Sequence, residues 1–137
     1  MVNHELGYAG RVDCIGWVKL EATQPQLRAM IDWKTHYSRE GCWRPYEEYA
    51  WQLAGYRLAL GEEFGVCANL VISTNPDIPG VLEHIWTPEQ LAHGEDIFRT
   101  ALNFWRLIKN SRTSGRNKHR NSQALRTLML RKTTTEL

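Results

Sequence analysis

The sequence lacks the cysteine pattern of a disulfide-stapled or zinc-binding protein. Its three cysteines, Cys14, Cys42 and Cys67, are widely spaced and odd in number, and no C-x-x-C pair occurs. We therefore expect neither a disulfide framework nor a zinc knuckle. We interpret the cysteines as small apolar residues kept reduced inside a cell. The five histidines show no metal-ligand spacing either, and none is assigned a role.

Long apolar runs are also missing. No stretch approaches the roughly 20 apolar residues needed to cross a bilayer, and residues 1–5 have no apolar segment of the signal-peptide kind. We expect a soluble protein of the cytoplasm, or of the host-cell cytoplasm if it is viral, with no membrane partner. With 137 residues, 42% of them hydrophobic, the chain has the size and composition of one globular domain.

Charge is nearly balanced overall, at +2, but it is unevenly distributed. Residues 109–137 contain eight Lys or Arg and one acid, whereas residues 1–108 contain nine basic and fourteen acidic residues. The distribution predicts a domain over residues 1–110 and a basic C-terminal tail over residues 111–137. Such a tail can neutralise the phosphates of a polyanion, although a solvated tail without a partner is the alternative.

The spacing of apolar residues predicts an α/β domain, with a mixed central β-sheet flanked by helices. The predicted elements are strands at 2–6, 11–18 and 27–35, a helix at 45–60, strands at 66–73 and 81–86, and a helix from 88 to about 110. The two glycines in residues 7–10 predict either a turn or a close approach of the backbone to another part of the chain. In the tail we expect a flexible linker at 111–121 and a short helix at 122–131.

The two predicted helices also carry signals for their ends and their buried faces. Pro45 is expected in the first turn of the first helix and Gly61 at its end. Residues 87–90 form a capping box that starts the second helix. Each helix has an apolar stripe expected to pack on the sheet, and that of the second helix includes Trp105 and Ile108.

The strand at 27–35 carries an acid and an amine on one face. Alternation along a strand places Asp32 and Lys34 on the same side and Trp33 on the other. A surface ion pair of little energetic value would explain an isolated D-x-K equally well. The surrounding sequence decides between these interpretations.

Two further groups accompany this pair. Asp13 lies within the predicted strand at 11–18, where a buried carboxylate is costly unless it is paired or bound to a cation. It is expected on a strand antiparallel to that of Asp32, although pairing with a nearby arginine is the alternative. Gln52 and Tyr56 are four residues apart on the first helix and therefore neighbours on its surface.

In order along the chain, Gly10 and Asp13 give G-x-x-D, Asp32 to Thr35 give D-x-K-T, and Gln52 and Tyr56 give Q-x-x-x-Y. This succession resembles the PD-(D/E)xK nuclease superfamily. Within it, the pattern is most similar to the RecB-like branch, which includes phage exonucleases and the mitochondrial genome maintenance exonuclease. The resemblance covers about residues 5–73 and implies a restriction-endonuclease-like core.

The resemblance implies a metal site for Mg²⁺ or Mn²⁺. Asp13 and Asp32 would be the metal-binding carboxylates, and the carbonyl of Trp33 a further ligand. The family usually carries another Glu or His on a helix before the first strand. Here Glu5 is the expected substitute, with His4 as the alternative. Carboxylate and carbonyl oxygens are the ligands that these hard cations prefer.

The remaining roles are also implied by the resemblance. Lys34 would orient or deprotonate the attacking water, or neutralise charge that develops on the phosphate. Gln52 and Tyr56 would position DNA or the catalytic lysine. Among the aromatic residues, Tyr8 and Trp33 are the expected candidates for stacking on bases, because they flank this site.

The resulting expectation is a metal-dependent DNA nuclease of recombination and repair, an exonuclease with little sequence specificity. Its partner would be DNA, with a homo-oligomer or a partner nuclease or recombination subunit compatible with the family. The first alternative is a non-catalytic nucleic-acid-binding or assembly subunit. The second is a structural domain that docks a protein through the apolar residues at 125–130.

Overall fold

The computed structural model describes residues 1–37 and 44–132, with side chains up to residue 110. Cys42 lies outside this part of the chain. The chain divides into two units, Met1–Arg99 and Thr100–Leu137. The elements are β1 (Val2–Asn3), β2 (Tyr8–Ala9), β3 (Cys14–Val18), β4 (Leu27–His36), α1 (Glu47–Leu60), β5 (Val66–Ser73), β6 (Val81–Ile85) and α2 (Pro88–Lys132).

Strands β3 to β6 form one four-stranded sheet in the order β3-β4-β5-β6. The β3–β4 and β5–β6 pairs are antiparallel, whereas β4 and β5 are parallel. The helix α1 makes the crossover that a parallel pair requires. The prediction of an α/β domain with a mixed central sheet is confirmed.

The first residues form a separate two-stranded hairpin. Val2 pairs with Ala9 and Asn3 with Tyr8, and Gly7 takes the positive φ of 61° that the turn needs. The strand predicted at 2–6 therefore ends at Asn3. Of the two predictions for residues 7–10, the turn is wrong for Tyr8 and Ala9, which form the returning strand. The close backbone approach is found at Gly10, where a Cβ would lie 2.9 Å from the Tyr56 ring.

One face of the sheet carries the main core. Met30 of β4 and Cys67 of β5 pack with Leu53 of α1 and Leu91 of α2, and all four are buried. The helices approach closely because Gly94 has no side chain. A Cβ at that position would lie 3.1 Å from the backbone of Ala50. The apolar stripe predicted for the first helix and the start of the second helix is thus used to cover this face.

The opposite face of the sheet has a smaller cluster. Ala29, Val66 and Ala68 are buried there. Their partly buried apolar neighbours come from β3 and β4. Within residues 1–37 and 44–99, this cluster contains no helical residue. Trp33 on this face is 49% exposed, and Ile85 48%. In these two ranges, strands alone supply the apolar surface of this face.

The helix signals in the sequence are largely confirmed. Gly61 ends α1 in the left-handed conformation, with φ of 64°, and its N–H bonds to the carbonyl of Arg57. Thr87 and Gln90 form the predicted reciprocal cap of α2, with each side chain accepting the other's backbone N–H. Pro45 is an exception, because α1 begins at Glu47, beyond the first-turn position predicted for the proline.

The predicted end of the second helix near Asn110 is wrong, because α2 continues to Lys132. The predicted linker at 111–121 and the separate helix at 122–131 are both part of it. No proline follows Pro88, and Gly115 is the sole glycine after residue 110. One glycine costs a helix only about 1 kcal/mol, so polar composition was a poor indicator of a break.

Charge separates at the boundary between the two units. Residues 1–99 contain eight Lys or Arg and fourteen Asp or Glu, a formal charge of −6, whereas residues 100–137 contain nine and one, or +8. Trp105 and Ile108, expected on a packed helix face, are exposed. In the part of the chain that the structure describes, no helix is long and apolar enough to cross a membrane.

Candidate functional site

Asp13 joins β3 to β4 through its side chain. It is exposed and lies one residue before β3, which begins at Cys14 and not at Arg11 as predicted. Its Oδ2 accepts the backbone N–H of Trp33 at 3.0 Å. Because a side chain takes this N–H, the backbone ladder stops at the pair of Cys14 and Ile31. Continuing that register by one residue puts Asp13 opposite Asp32, as the antiparallel arrangement predicts.

Asp32 is a buried carboxylate paired with Lys34. Only 2% of Asp32 is exposed, and the Nζ of Lys34 lies 2.5 Å from its Oδ2. The prediction that these side chains share a face is therefore confirmed. The alternative, an exposed ion pair on the surface, is wrong because Asp32 is buried. Trp33, between them in sequence, is directed to the opposite face and is half exposed.

The surroundings of Asp32 act on its pKa in opposing directions. Burial raises the pKa above its ordinary value, because the charged form loses hydration. The hydrogen bond and the charge of Lys34 lower it, and Asp13 raises it further. Burial prevails, and the pKa of Asp32 is raised overall. Two carboxylates and one ammonium group thus interact directly at the junction of β3 and β4.

Helix α1 supplies further groups that contact the Lys34 ammonium group, in addition to Asp32. Gln52 Oε1 accepts a hydrogen bond from Lys34 Nζ at 2.6 Å, and Gln52 Nε2 donates to the hydroxyl of Tyr56 at 2.5 Å. The ring of Tyr49 lies 5.2 Å from the same Nζ, within the range of a cation–π contact. Positions 49, 52 and 56 follow one face of the helix, so a single element aligns all three.

The position of Gly10 shows why the G-x-x-D pattern has a glycine there. A Cβ at this position would lie 2.9 Å from Cε1 of Tyr56, closer than real Cβ contacts allow. The absence of a side chain therefore lets the Tyr56 ring lie against the backbone before β3. Gly10 and Gln52 together position Tyr56.

Asn69, on β5, was not predicted as a site residue from the sequence. This side chain is fully buried and opposite Asp32 in the parallel register. Its Nδ2 donates to both Oδ2 and the backbone carbonyl of Asp32, each at 3.1 Å. Its Oδ1 accepts the indole N–H of Trp86 at 2.7 Å. The available signal was one amide within the otherwise apolar run at 66–72, because a buried amide requires partners.

The remaining predicted residues are placed differently. Glu5 is exposed in the turn between β1 and β2, and it does not join the other acids. Among the side chains described, no three or more of His, Cys, Asp and Glu converge on a metal position. Tyr8 donates its hydroxyl to the carbonyl of Gly55 at 2.6 Å and packs edge-on against Phe98. It is therefore a packing residue and not the stacking platform expected.

The donors at this site fit a divalent cation in part. Asp13 and Asp32 offer two carboxylates, and Asp13 contributes to the raised pKa of Asp32, so a cation between them would relieve that repulsion. The backbone carbonyl of Trp33 belongs to the same strand. Magnesium needs only one or two carboxylates, because it keeps several of its waters. The site has this minimum set of ligands, without a third acid from the described residues.

Comparison with protein-family models, with curated proteins and with solved structures gives no match to this chain. Any functional conclusion must therefore come from the site itself.

Proposed function

We propose that this chain is a metal-dependent nuclease that hydrolyses phosphodiester bonds in DNA. One observation carries the proposal: a continuous chain of polar contacts runs from Asp32 through Lys34 to Gln52 and Tyr56. The second carboxylate, Asp13, is held beside Asp32 by the backbone N–H of Trp33. Two carboxylates that can bind a metal ion and a fixed ammonium group that can stabilise charge on a phosphate form one arrangement that supports phosphodiester hydrolysis. The D-x-K-T, G-x-x-D and Q-x-x-x-Y resemblance supports the same function, with a restriction-endonuclease-like core.

Asp13, Asp32 and the carbonyl of Trp33 would hold Mg²⁺ or Mn²⁺. When bound, the cation would polarise the scissile phosphate and acidify a water molecule. The contribution of the protein is to hold the two carboxylates in place and close together. Asn69 fixes the rotamer of Asp32 from behind, and the Trp33 N–H fixes that of Asp13.

Lys34 is the group that would act on the phosphate. Its Nζ is held between Asp32 and Gln52, so its charge has a fixed position and costs little reorganisation when a substrate arrives. There it would orient the attacking water or neutralise charge that develops on a phosphate oxygen. Gln52 and Tyr56 would act through Lys34, as positioning residues.

A cleavage assay tests this proposal. The full chain is incubated with end-labelled linear DNA and with closed circular DNA, in Mg²⁺, in Mn²⁺ or in EDTA. We expect metal-dependent loss of the linear form alone, because the resemblance favours an exonuclease. Asp32→Asn should reduce the rate about a thousandfold, whereas Asp77→Asn, an exposed residue of the β5–β6 turn, should leave it unchanged.

A second candidate function is binding of nucleic acid without cleavage. It is favoured by the lack of a third acid near Asp13 and Asp32 among the described residues. In the same assay this candidate predicts a shift of DNA mobility that EDTA does not remove, and no cleavage of either form. Cleavage that is equal in the wild type and in Asp32→Asn would contradict the assignment of the site.

A further inference from the structure

A row of aromatic rings extends from the Lys34 ammonium group to the protein surface. The ring of Tyr49 lies 5.2 Å from Lys34 Nζ. The ring centroid of Tyr46 lies 5.4 Å from that of Tyr49, with the two planes nearly perpendicular. His36 continues the row, with its ring centroid 6.0 Å from that of Tyr46. These three rings, Tyr49, Tyr46 and His36, are called the aromatic row below.

Two elements place the aromatic row beside the proposed catalytic site. Alternation along β4 puts His36 on the same face of the sheet as Asp32 and Lys34. Tyr46 directly precedes α1, and Tyr49 lies in the first turn of that helix. The row therefore starts at the group that would act on the phosphate and leads away from Asp32 along β4.

Tyr46 is the open member of the aromatic row. It is 49% exposed, whereas Tyr49 and His36 are partly buried. Contacts with two neighbouring rings restrict the orientation of the Tyr46 side chain, so little conformational freedom is left to lose when a ligand binds. The exposed part of the ring offers a rigid apolar surface to a flat ligand.

The charges around Tyr46 favour an uncharged ligand over a phosphate. Glu47 and Glu48 follow it directly in sequence, and both are exposed, so phosphate oxygens beside the ring would be repelled. The positive charge lies at the other end of the aromatic row, on Lys34. A nucleotide bound here would thus have its phosphate at Lys34 and its base on the Tyr46 ring.

We propose that Tyr46, supported by Tyr49 and His36, is the stacking platform for an unpaired base of the DNA substrate. The inference rests on the proposed function, because it puts a phosphate of the same strand at Lys34. Every base has a π-face, so stacking tolerates any sequence. Bases inside a duplex already stack on their neighbours, and the platform therefore takes an unpaired one. DNA ends with a single-stranded overhang should bind better than blunt ends.

The test uses a short single-stranded oligonucleotide that carries the fluorescent base 2-aminopurine at a terminal position, where stacking on a protein ring quenches its emission. Phosphorothioate linkages make the oligonucleotide resistant to hydrolysis, so the full chain can be titrated in Mg²⁺ as well as in EDTA. A blunt duplex with the same probe is measured in parallel. The variants are Tyr46→Ala, which removes the ring, and Tyr46→Phe, which keeps it. Trp17→Ala, at a 62% exposed aromatic residue paired with Arg28 near the other end of β4, is the matched control.

We expect the wild type to quench the single-stranded probe more than the blunt duplex. Tyr46→Ala should lose about tenfold in affinity together with the quenching, and Tyr46→Phe should stay within about twofold of the wild type. Trp17→Ala should match the wild type. Equal affinity and quenching in Tyr46→Ala, or no quenching by the wild type, would overturn the stacking platform.

The stacking platform and the nuclease activity can fail separately in this experiment. Metal-dependent cleavage of unmodified DNA, with quenching that Tyr46→Ala leaves unchanged, would overturn the platform and retain the nuclease. Quenching that depends on the Tyr46 ring, without cleavage of unmodified DNA in either metal, would retain the platform in a protein that binds DNA without cutting it.

Discussion

Replacing Lys34 with methionine tests the electrostatics of the site most directly, because this ammonium group is the cation paired with a buried carboxylate. Methionine preserves most of the side-chain length but removes the charge. The Oδ2 of Asp32 would lose its contact at 2.5 Å and keep the Asn69 amide at 3.1 Å. Removing one member of a buried pair typically costs 3–5 kcal/mol, because the other charge stays buried. We expect about 3 kcal/mol at pH 8.

The same substitution should make stability more dependent on pH. Burial already raises the pKa of Asp32 in the folded protein, and Lys34 lowers it, so Lys34→Met raises this pKa further. A carboxyl with a raised folded-state pKa favours folding below its unfolded pKa, and this contribution is lost as pH rises through the folded pKa. The destabilisation by Lys34→Met should therefore be small near pH 4 and complete above the raised pKa.

Urea unfolding followed by tryptophan fluorescence, at about pH 4 and pH 8, measures both effects. The decisive comparison is a double-mutant cycle with Asp32→Asn. In that background Lys34→Met should cost under about 1 kcal/mol at both pH values, because no buried carboxylate remains. Lys19→Met is the matched control at an exposed lysine. An equal cost at both pH values, or in both backgrounds, would refute the reasoning.

Three further predictions concern the surroundings of this pair. Gly10→Ala should destabilise the protein by about 1–3 kcal/mol, because the new Cβ would clash with the Tyr56 ring. Gly16→Ala, at a position with open space around it, is the control and should not be destabilising. Urea unfolding compares the two variants. Asn69→Leu should lower the free energy of unfolding by about 1–3 kcal/mol and raise the pKa of Asp32. NMR titration of the Asp32 carboxyl measures this pKa. An unchanged pKa would contradict the positioning role of Asn69. Mg²⁺ at about ten times its Kd should stabilise the wild type by about 1.4 kcal/mol, and Asp32→Asn should abolish the gain in a thermal scan.

Local sequence pattern predicted the parts of the site that lie on single elements. Alternation along a strand placed Asp32 and Lys34 together, and the helical repeat placed Gln52 next to Tyr56. The antiparallel neighbour Asp13 followed from the order of the strands. Asn69 was not predicted, because its position opposite Asp32 depends on the parallel register of β4 and β5. No rule of local sequence sets that register.

The errors have equally local causes. Polar and basic composition at 111–121 indicated a linker, but these residue types are acceptable on a helix, and α2 passes through them. Tyr8 was expected to stack on bases because it flanks the site, whereas its hydroxyl donates to the carbonyl of Gly55 and its ring packs against Phe98. In both cases neighbours distant in sequence, or the continuity of a long element, outweighed composition.

The crossover between β4 and β5 has a consequence for the order in which the protein assembles. The groups linked from Asp13 to Tyr56 come from consecutive elements and need only β3, β4 and α1. Asn69, separated from Asp32 by 37 positions, arrives with β5, after the helix has crossed the sheet. Until β5 joins, Asp32 is an edge residue exposed to water. Pairing of β5 with β4 therefore converts an acid at a sheet edge into a buried one, and the contact of Asp32 with Asn69 forms only at that step.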